Sequence, residues 1–352
     1  MAEVAAAAGV SVGTVSRVLN HSPHVREATR QRVTEVIRRL QYRPSRLAAR
    51  LSRGSPGTVM LLVPFLTRPS VVARLAGALS VLDEQGFDAI LGNVEAPDQL
   101  ERHLHAITAR HGAEGAVIIS LHLGERHLAE LRSADVPLVM VDAQAPGVPC
   151  TVVDDIRGGT LAAEHLLDLG HRRIAFVGDE PNPDLGFRST RRRLLGYRRA
   201  LAARGICQDS ALVRLGAHSS TAAAALTREL LRLPDPPTAI FAASDTQALG
   251  VLAGAEQAGL RVPDDLSVIG YDDIESAAQL GLSTVRQPLR ASGASGAHRL
   301  CAVIRGERVR PMRQELPLGV VARSTTRALT DPVRSLTDPV RAGPARTAPP
   351  GD

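Results

Sequence analysis

Short apolar segments alternate with helical segments from residue 58 onward, and this alternation limits the possible folds more than any other feature. Turn residues bound the apolar segments, which cover residues 58–64, 89–93, 115–120, 137–142, 174–178, 239–244 and 267–271. Because each segment is apolar on both faces and helical stretches separate them, we predict parallel strands in doubly wound α/β sheets. Sheets of this kind bind ligands at the carboxyl ends of their strands.

The first 57 residues have a different pattern, with helical periodicity and no strand signal. We predict a helix over Ala2–Ala8 that ends at Gly9. A second helix is predicted over Val12–Leu19, with Ser11 as its N-cap, and a third over about residues 26–40. Two short helices around a glycine turn indicate a helix-turn-helix unit.

The positive charge of the chain is concentrated in this helical segment. Residues 1–57 hold ten arginines and three glutamates, a net charge of +7, whereas the whole chain has a net charge of +6. A basic segment on a nearly neutral body is typical of a module that binds nucleic-acid phosphates. All 42 basic residues are arginine, which we attribute mainly to a GC-rich genome.

Several classes of protein are disfavoured by what the sequence lacks. The three cysteines are widely separated and odd in number, so we expect free thiols and no metal site. We find no apolar run of about 18 residues and no signal-peptide pattern, so we expect no membrane association and a cytoplasmic location. The motifs of nucleotide-binding loops, serine hydrolases and zinc proteases are absent, so we expect neither an enzyme nor a cofactor.

Residues 4–20 carry the most specific motif of the chain. It consists of Val-Ala at positions 4–5 and Ala-Gly-Val-Ser-Val-Gly-Thr-Val-Ser-Arg-Val-Leu-Asn at positions 8–20. Shorter motifs lie at residues 42–44, 164–166, 169–174, 196–197, 267–273 and 284–288. In their order and spacing these motifs resemble those of the lac repressor (LacI/GalR) family of bacterial transcription regulators, and the similarity covers about residues 1–327.

The resemblance implies an all-α helix-turn-helix head and an α/β core of the periplasmic-binding-protein type I fold. Such a core has two Rossmann-like lobes with parallel sheets, joined by three crossovers. The implied domains are a DNA-binding domain (1–43), a hinge helix and linker (44–57), an effector-binding and dimerisation domain (58–327) and a tail (328–352). We expect the N-lobe at about 58–154 and 285–310, and the C-lobe at about 155–284 and 311–327. The tail is rich in Pro, Arg and Gly and is predicted to be disordered.

By the resemblance, the second helix lies in the DNA major groove, with Val12, Gly13 and Arg17 facing the bases. Arg17 can chelate guanine O6 and N7, which is worth about 1–3 kcal/mol of discrimination, and Val12 can contact a thymine methyl group. A phosphate contact or a solvated side chain is the alternative for Arg17. Ser11, Thr14, Ser16 and Asn20 match positions of the family that contact phosphates, which fix register rather than read sequence. His24 and Arg50 are further candidate DNA contacts, and His24 is as readily a polar loop residue.

Residues 45–51 form a short amphipathic stretch that matches the hinge helix of the family, which folds on DNA. Leu51 matches the leucine that wedges into the minor groove at the operator centre, and packing against a partner subunit is the alternative. Relatives carry several residues, including a Thr cap, before the first helix. Because Met1 and Ala2 already lie within that helix here, we favour a start further upstream.

Two positions match the polar anchors of the family's effector cleft. Arg193 matches an arginine that bonds effector oxygens, and Asp272 matches an acid that accepts from effector hydroxyls. Paired donors and acceptors suit a sugar, a polyol or a nucleoside-like ligand. An exposed Arg193 in an arginine run, with Asp272 capping a turn, is the alternative. The other expected effector contacts are Phe65, Ser70, Val71, Asp142 and Ser244.

Ring stacking on the effector is expected to be limited. Aromatic residues make up 2% of the chain and tryptophan is absent, so stacking rests on Phe65 or Phe187. Where relatives often have Asn-Pro followed by two aromatic residues, this chain has Arg-Pro-Ser-Val at positions 68–71. A typical pyranose effector is therefore in doubt.

The sequence as a whole predicts a homodimeric, allosteric repressor that binds a pseudo-palindromic operator and responds to a small molecule between its lobes. Two alternatives share the fold. A solute-binding protein would need export and would carry no basic head. An enzyme would need catalytic motifs, and none is found.

Overall fold

The computed structural model of the chain describes residues 1–19, 22, 24–40, 57–109, 113–181 and 185–329. The head helices are α1 (Ala2–Ala8), α2 (Val12–Leu19) and α3 (Glu27–Arg39), which agree with the predicted helices. The predicted hinge helix and most of the predicted tail lie outside the described residues.

The core alternates strands and helices. In chain order its elements are β1 (Thr58–Pro64), α4 (Pro69–Glu84), β2 (Asp88–Val94), α5 (Pro97–Thr108), β3 (Gly115–Ile119), α6 (Glu125–Ser133), β4 (Leu138–Val141), β5 (Cys150–Val152), α7 (Asp155–Asp168), β6 (Ile174–Asp179), α8 (Ser189–Ala203), β7 (Val213–Gly216), α9 (Ser220–Leu231), β8 (Ala239–Ala242), α10 (Asp245–Gln257), β9 (Ser267–Asp272), α11 (Glu275–Gln279), β10 (Ser283–Arg286), α12 (Leu289–Ile304), β11 (Arg313–Glu315) and β12 (Gly319–Val321).

The strands form two six-stranded sheets, one in each lobe. The first has the order β11-β5-β4-β3-β1-β2, and the second has the order β12-β10-β9-β8-β6-β7. Every neighbouring pair is parallel except β10 and β12, which are antiparallel. The predicted pair of parallel α/β lobes is therefore confirmed, with an antiparallel strand added at one edge.

Apolar side chains from both faces of the sheets form the cores of the two lobes. Strand β2 is an exception to the predicted burial on both faces, since Ile90 and Leu91 are 42% and 43% exposed. The reason is its edge position, since β1 is its one strand neighbour among the residues that the structure describes. No single helix within the described ranges is long and apolar enough to cross a membrane, and α1 and α2 meet that criterion only when they are combined across a 99° bend.

The chain passes between the lobes three times, after β5, after β10 and after β11. Two of the expected lobe boundaries differ from the sheet membership. Strand β10 lies in the second sheet, so the expected return to the N-lobe at residue 285 falls after residue 286 instead. Strand β11 lies in the first sheet, so residues 313–315 belong to the N-lobe and not to the C-lobe.

Candidate DNA-reading head and ligand cleft

The three head helices pack against one another, and each contributes one face to a shared core. Their core contains Val4 of α1, Val15 and Val18 of α2, and Val33 of α3. Between α1 and α2, Gly9 takes a left-handed conformation (φ 62°), which glycine adopts without strain. The 99° bend between these helices lies within the range of about 90–120° typical of helix-turn-helix units. The predicted helix-turn-helix head is therefore confirmed.

The opposite side of α2 is open to solvent. Val12 is 45% exposed, and Gly13 and Arg17 are also exposed. Before the helix, Ser11 accepts a hydrogen bond from the Thr14 amide at 3.2 Å, which confirms the predicted N-cap. The two hydroxyls share a further hydrogen bond of 3.0 Å. We call Ser11, Val12, Gly13, Thr14 and Arg17 the reading face; all of these residues are exposed except Thr14, which is half-buried.

The remaining predicted DNA contacts lie beside the reading face or outside the described residues. Ser16 is half-buried on α2. His24 is exposed before α3, where its amide lies 3.4 Å from the hydroxyl of Ser22. The residues outside the described ranges are Asn20, Arg50 and Leu51, whose DNA contacts stay predictions.

The carboxyl ends of strands from both sheets border a cleft between the lobes, as expected for doubly wound sheets. The cleft has a volume of 980 Å³ and is lined by Phe65, Arg68, Asp179, Phe187 and His218, among others. Ligand sites typically have volumes of about 300–1,000 Å³. An adjoining recess of 140 Å³ shares Phe187 with the cleft and contains Ser120, Asp142 and Asp155. The predicted contacts Phe65 and Asp142 thus line this region.

Several residues at these strand ends have left-handed backbone conformations, which side chains other than glycine rarely adopt. Their φ angles are 45° for Phe65, 55° for Ser120, 57° for Asp142, 126° for Asp272 and 60° for Asp273. Strained backbone of this kind clusters at ligand-binding sites. The residues with strained backbone therefore lie at the same edge of the sheets as the cleft.

The two predicted anchors lie behind the recess and are buried, with 6% exposure each. Arg193 donates from Nε to Asp155 at 2.9 Å and from Nη1 to the carbonyl of Ala243 at 2.6 Å. Its Nη1 lies 4.0 Å from the carboxylate of Asp272. The guanidinium also covers the ring of Tyr271, 3.7 Å from its centroid. The alternative of an exposed, solvated Arg193 is wrong.

Burial governs the protonation of this cluster. It raises the pKa of Asp272 to about 7, although Arg193 and Arg74 favour the ionised form. Burial also raises the pKa of Asp155, against the attraction of Arg193. A carboxyl group that titrates near neutral pH can either donate or accept a hydrogen bond.

A chain of hydrogen bonds links the two lobes beside this cluster. Arg74 of α4 is buried, lies 3.2 Å from the carboxylate of Asp142 and donates to Oε1 of Gln287 at 3.1 Å. Gln287, in the crossover after β10, donates to Asp272 at 2.6 Å. Asp142 also accepts from the hydroxyl of Ser120 at 2.7 Å. The charge of Asp142 is therefore already compensated by Arg74.

Three predicted effector contacts have other positions. Ser244 is buried and caps α10 by accepting from the amide of Gln247 at 3.2 Å. Val71 is 3% exposed because α4 turns it into the first-lobe core. Ser70, in the first turn of α4, lines neither the cleft nor the recess. We therefore leave Ser70, Val71 and Ser244 out of the proposed contacts.

Sequence reasoning missed a polar cluster around Asp179, the last residue of β6. Its carboxylate shares a hydrogen bond of 2.8 Å with Nδ1 of His218 and accepts from Thr190 at 3.0 Å and Gln247 at 2.9 Å. Burial opposes ionisation of Asp179, but the hydrogen bonds from His218 and Thr190 and the charge of Arg68 lower its pKa overall. The signal was available, since this acid directly follows a predicted strand.

The described ranges contain no group of three or more His, Cys, Asp or Glu residues that could hold a metal ion. The cleft instead offers hydrogen-bond donors, acceptors and two phenylalanine rings, which suit an organic ligand. A basic helix-turn-helix head joined to such a two-lobed cleft defines a DNA-binding regulator with a small-molecule sensor.

Comparisons with known proteins agree with this class. Residues 1–45 match the family of bacterial regulatory proteins of the lacI type, and residues 163–326 match a periplasmic binding protein-like domain. The HTH-type transcriptional regulator CelR of Thermobifida fusca is 35% identical over 335 residues, which cover 92% of this chain and 96% of CelR. Catabolite control protein A of Priestia megaterium is 31% identical over 330 residues, covering 92% and 98%. The chain belongs to the lacI family.

Solved structures give the same result. The lac repressor dimer bound to operator and the anti-inducer ONPF has a TM-score of 0.80 and 29% identity, covering 92% of this chain and 98% of that one. A CelR–cellobiose complex has a TM-score of 0.68 and 34% identity, with the same coverage. A LacI family regulator with bound ribose matches 77% of this chain, at a TM-score of 0.70 and 30% identity. The chain is therefore a transcriptional regulator of this fold and not an enzyme.

Proposed function

We propose that this protein is a homodimeric repressor in the cytoplasm whose affinity for operator DNA changes when a small oxygenated molecule binds between its lobes. One observation carries the proposal. The reading face of α2 is exposed on a strongly basic head, and the head is attached to a core whose cleft is lined by donors and acceptors.

The side chains of the reading face can contribute to DNA binding in different ways. Arg17 has the fork of donors that recognises guanine, and Val12 offers an apolar contact for a thymine methyl group. Gly13 has no side chain, so it permits close approach of the helix and reads no base. The hydroxyls of Ser11 and Thr14 are placed at the helix N-terminus, where they can bond a phosphate and fix the register.

The cleft supports an oxygenated ligand. Hydroxyl-rich ligands need donors and acceptors in one place, and the cleft and recess supply carboxylates, a histidine and arginines. The bound cellobiose and ribose of two related structures support a sugar-like class for this chain as well. Because the contacts come from both lobes, a ligand there can favour one lobe angle over another.

Lobe angle can in turn affect DNA binding in a dimer. Two heads read a pseudo-palindromic operator when their spacing matches its half-sites, about one helical turn apart. A ligand that binds one lobe arrangement better shifts the population between DNA-competent and incompetent states by its difference in affinity.

A DNA-binding assay tests the proposal. The full chain is titrated against labelled DNA from upstream of its own gene and against a shuffled sequence, at 50–200 mM salt. We expect a preference for the first DNA and an affinity for both that falls with salt. Replacing Arg17 by Ala is expected to remove about 1–3 kcal/mol of that preference.

Arg38→Ala is the matched control, because Arg38 is an exposed head arginine that already forms an ion pair with Glu35 at 2.6 Å. It is expected to weaken binding to both DNAs slightly and equally. Equal weakening by Arg17→Ala would assign Arg17 to phosphate instead of bases. Absence of any preference between the two DNAs would overturn the proposed function.

A further inference from the structure

The guanidinium of Arg68 is the feature of the cleft that the proposed function leaves unexplained. Arg68 directly precedes α4, and its side chain is partly buried in the cleft. The guanidinium lies 4.1 Å from the ring centroid of Phe65 and 5.7 Å from that of Phe187. Among the described residues, no side chain or carbonyl forms a hydrogen bond or ion pair with it. Burial lowers the pKa of Arg68, but arginine stays charged in proteins.

Three acids near Arg68 already have partners, and Glu180, which also lines the cleft, forms no ion pair with Arg68 within the described ranges. Asp179 is held by His218 at 2.8 Å and by two further donors. Asp142 pairs with Arg74 at 3.2 Å. Asp272 accepts from a glutamine at 2.6 Å. Asp179 and Asp272 act on Arg68 only through longer-range attraction. The cleft therefore contains a cation that is partly removed from water and that lacks a partner at bonding distance.

We propose that Arg68 binds an anionic group of the effector, a carboxylate or a phosphate, so that the cleft selects sugar acids or sugar phosphates over neutral sugars. This inference rests on the proposed function, because it names the chemistry of the same ligand. A guanidinium stacks on a ring with its flat face, so its N–H groups stay free at the edge. There they can donate to the two oxygens of a carboxylate or a phosphate. Phe65 of the first lobe and Phe187 of the second contact the same guanidinium, so an anion held there contacts the junction of the lobes.

The test uses the full chain and matched ligand pairs. D-Ribose is compared with D-ribose 5-phosphate, and D-glucose with D-glucuronate, at constant ionic strength set with NaCl. Thermal shift identifies ligands that stabilise the fold, and calorimetry gives their Kd. We expect the anionic member of at least one pair to raise the Tm and to bind at least tenfold more tightly than its neutral counterpart.

Arg68→Met removes the charge and keeps an apolar stem between the rings. It is expected to abolish the preference for the anion, so that the anionic and neutral members of a pair bind with similar Kd. Arg261→Met is the control, since Arg261 is an exposed arginine that lines neither the cleft nor the recess, and it should keep the preference. Should Arg68→Met lower the Tm of the ligand-free chain, Arg68→Lys replaces it and is expected to keep a weakened preference, because it has the charge without the planar fork.

Each outcome decides the inference. Preference for D-glucuronate identifies the carboxylate as the recognised group, and preference for D-ribose 5-phosphate identifies the phosphate. Anion binding that survives in Arg68→Met overturns the inference, as does stabilisation by neutral sugars alone or by no anion at all. If a neutral sugar changes operator affinity and no anion binds more tightly than its neutral counterpart, this inference fails and the proposed function stands, whereas loss of specific operator binding contradicts the proposed function itself.

Discussion

Three acids at the ends of strands in this protein have three different environments. Asp179 is surrounded by donors, so its pKa is lowered despite burial. Asp142 is compensated by one buried arginine. Asp272 lies deepest, and burial raises its pKa to about 7. An aspartate is therefore ionised at one strand end and titrates near neutral pH at another. One cleft can thus offer both hydrogen-bond acceptors and a donor.

Asp272 is expected to make the stability of the core pH-dependent. Its folded-state pKa of about 7 lies above the ordinary value of 3.8. Protonation of Asp272 therefore adds to the free energy of unfolding in full below about pH 4, and this contribution is lost as the pH rises through 7. Asp272→Asn keeps the acceptor for Gln287 and removes the ionisation. The Tm of the variant is expected to rise relative to the wild type between pH 5 and pH 8, as measured by thermal unfolding at several pH values.

Asp168→Asn is the control for this experiment. Asp168 is an exposed helix residue that pairs with Arg204 at 2.5 Å, so its removal should change the Tm little at any pH. A wild type and an Asp272→Asn variant with parallel pH profiles would show that Asp272 does not titrate in this range.

The sequence located two of the buried residues next to the cleft, Arg193 and Asp272, but it could not give their partners. Arg193 pairs with Asp155, which precedes it by 38 residues and reaches it only because α7 packs on α8. Because of this pairing, a substitution of Arg193 would change the stability of the core as well as ligand binding. Removing it leaves the carboxylate of Asp155 buried without a charge partner and with the Tyr271 hydroxyl as a donor at 3.3 Å, at a cost of roughly 3–5 kcal/mol, so Arg193→Ala is expected to lower stability together with any ligand response.

At the scale of elements, helices α7 and α8 are brought together by glycines. A Cβ on Gly159 would lie 2.1 Å from the carbonyl oxygen of Arg193, and one on Gly196 would lie 2.0 Å from that of Ile156. Both contacts are with backbone, which cannot move aside as a side chain can. The close approach is what places Asp155 of α7 within hydrogen-bond distance of Arg193 of α8.

Gly196→Ala is expected to lower the free energy of unfolding by at least about 1–3 kcal/mol, the usual cost of overpacking. Urea unfolding of the full chain measures it. Gly319→Ala is the control, because a Cβ there meets no atom within 4 Å, and it should change stability by less than about 0.5 kcal/mol. Equal effects of the two substitutions would mean that α7 and α8 can separate at little cost.

Seven apolar segments were predicted as strands and are strands, whereas five other strands of the described ranges, each of three or four residues, were missed. Strand β1 matches its predicted range of 58–64, since all but its first residue are buried. Strands β5, β7, β10, β11 and β12 have three or four residues each. Strand β11 reads Arg-Gln-Glu and has no apolar pattern. Such a segment becomes a strand only because folding places it beside β5, and no local signal records that contact.

At the scale of the whole molecule, the two lobes are connected by more than the three crossovers. The chain of contacts from Asp142 through Arg74 and Gln287 to Asp272 runs from the first lobe, through one crossover, into the second. Asp142, at one end of this chain of contacts, lines the recess, so a ligand there can act on the contacts that hold the lobes at one angle. By the proposed function, DNA binding by the head depends on that angle.

Gln287→Ala tests whether this link controls DNA binding. The substitution removes the side chain that joins Arg74 to Asp272. Within the described ranges Gln287 contacts no residue of the head, so we expect any change in operator affinity to come through the lobe arrangement. We expect a change of roughly 0.5–2 kcal/mol in either direction, measured as the operator Kd of the ligand-free chain. Gln314→Ala is the matched control, because Gln314 accepts from Ser295 at 2.7 Å within the first lobe alone. Gln314→Ala should destabilise the lobe slightly and leave the operator Kd unchanged. Equal changes in Kd for both variants would mean that the contacts of Gln287 between the lobes do not set the lobe angle.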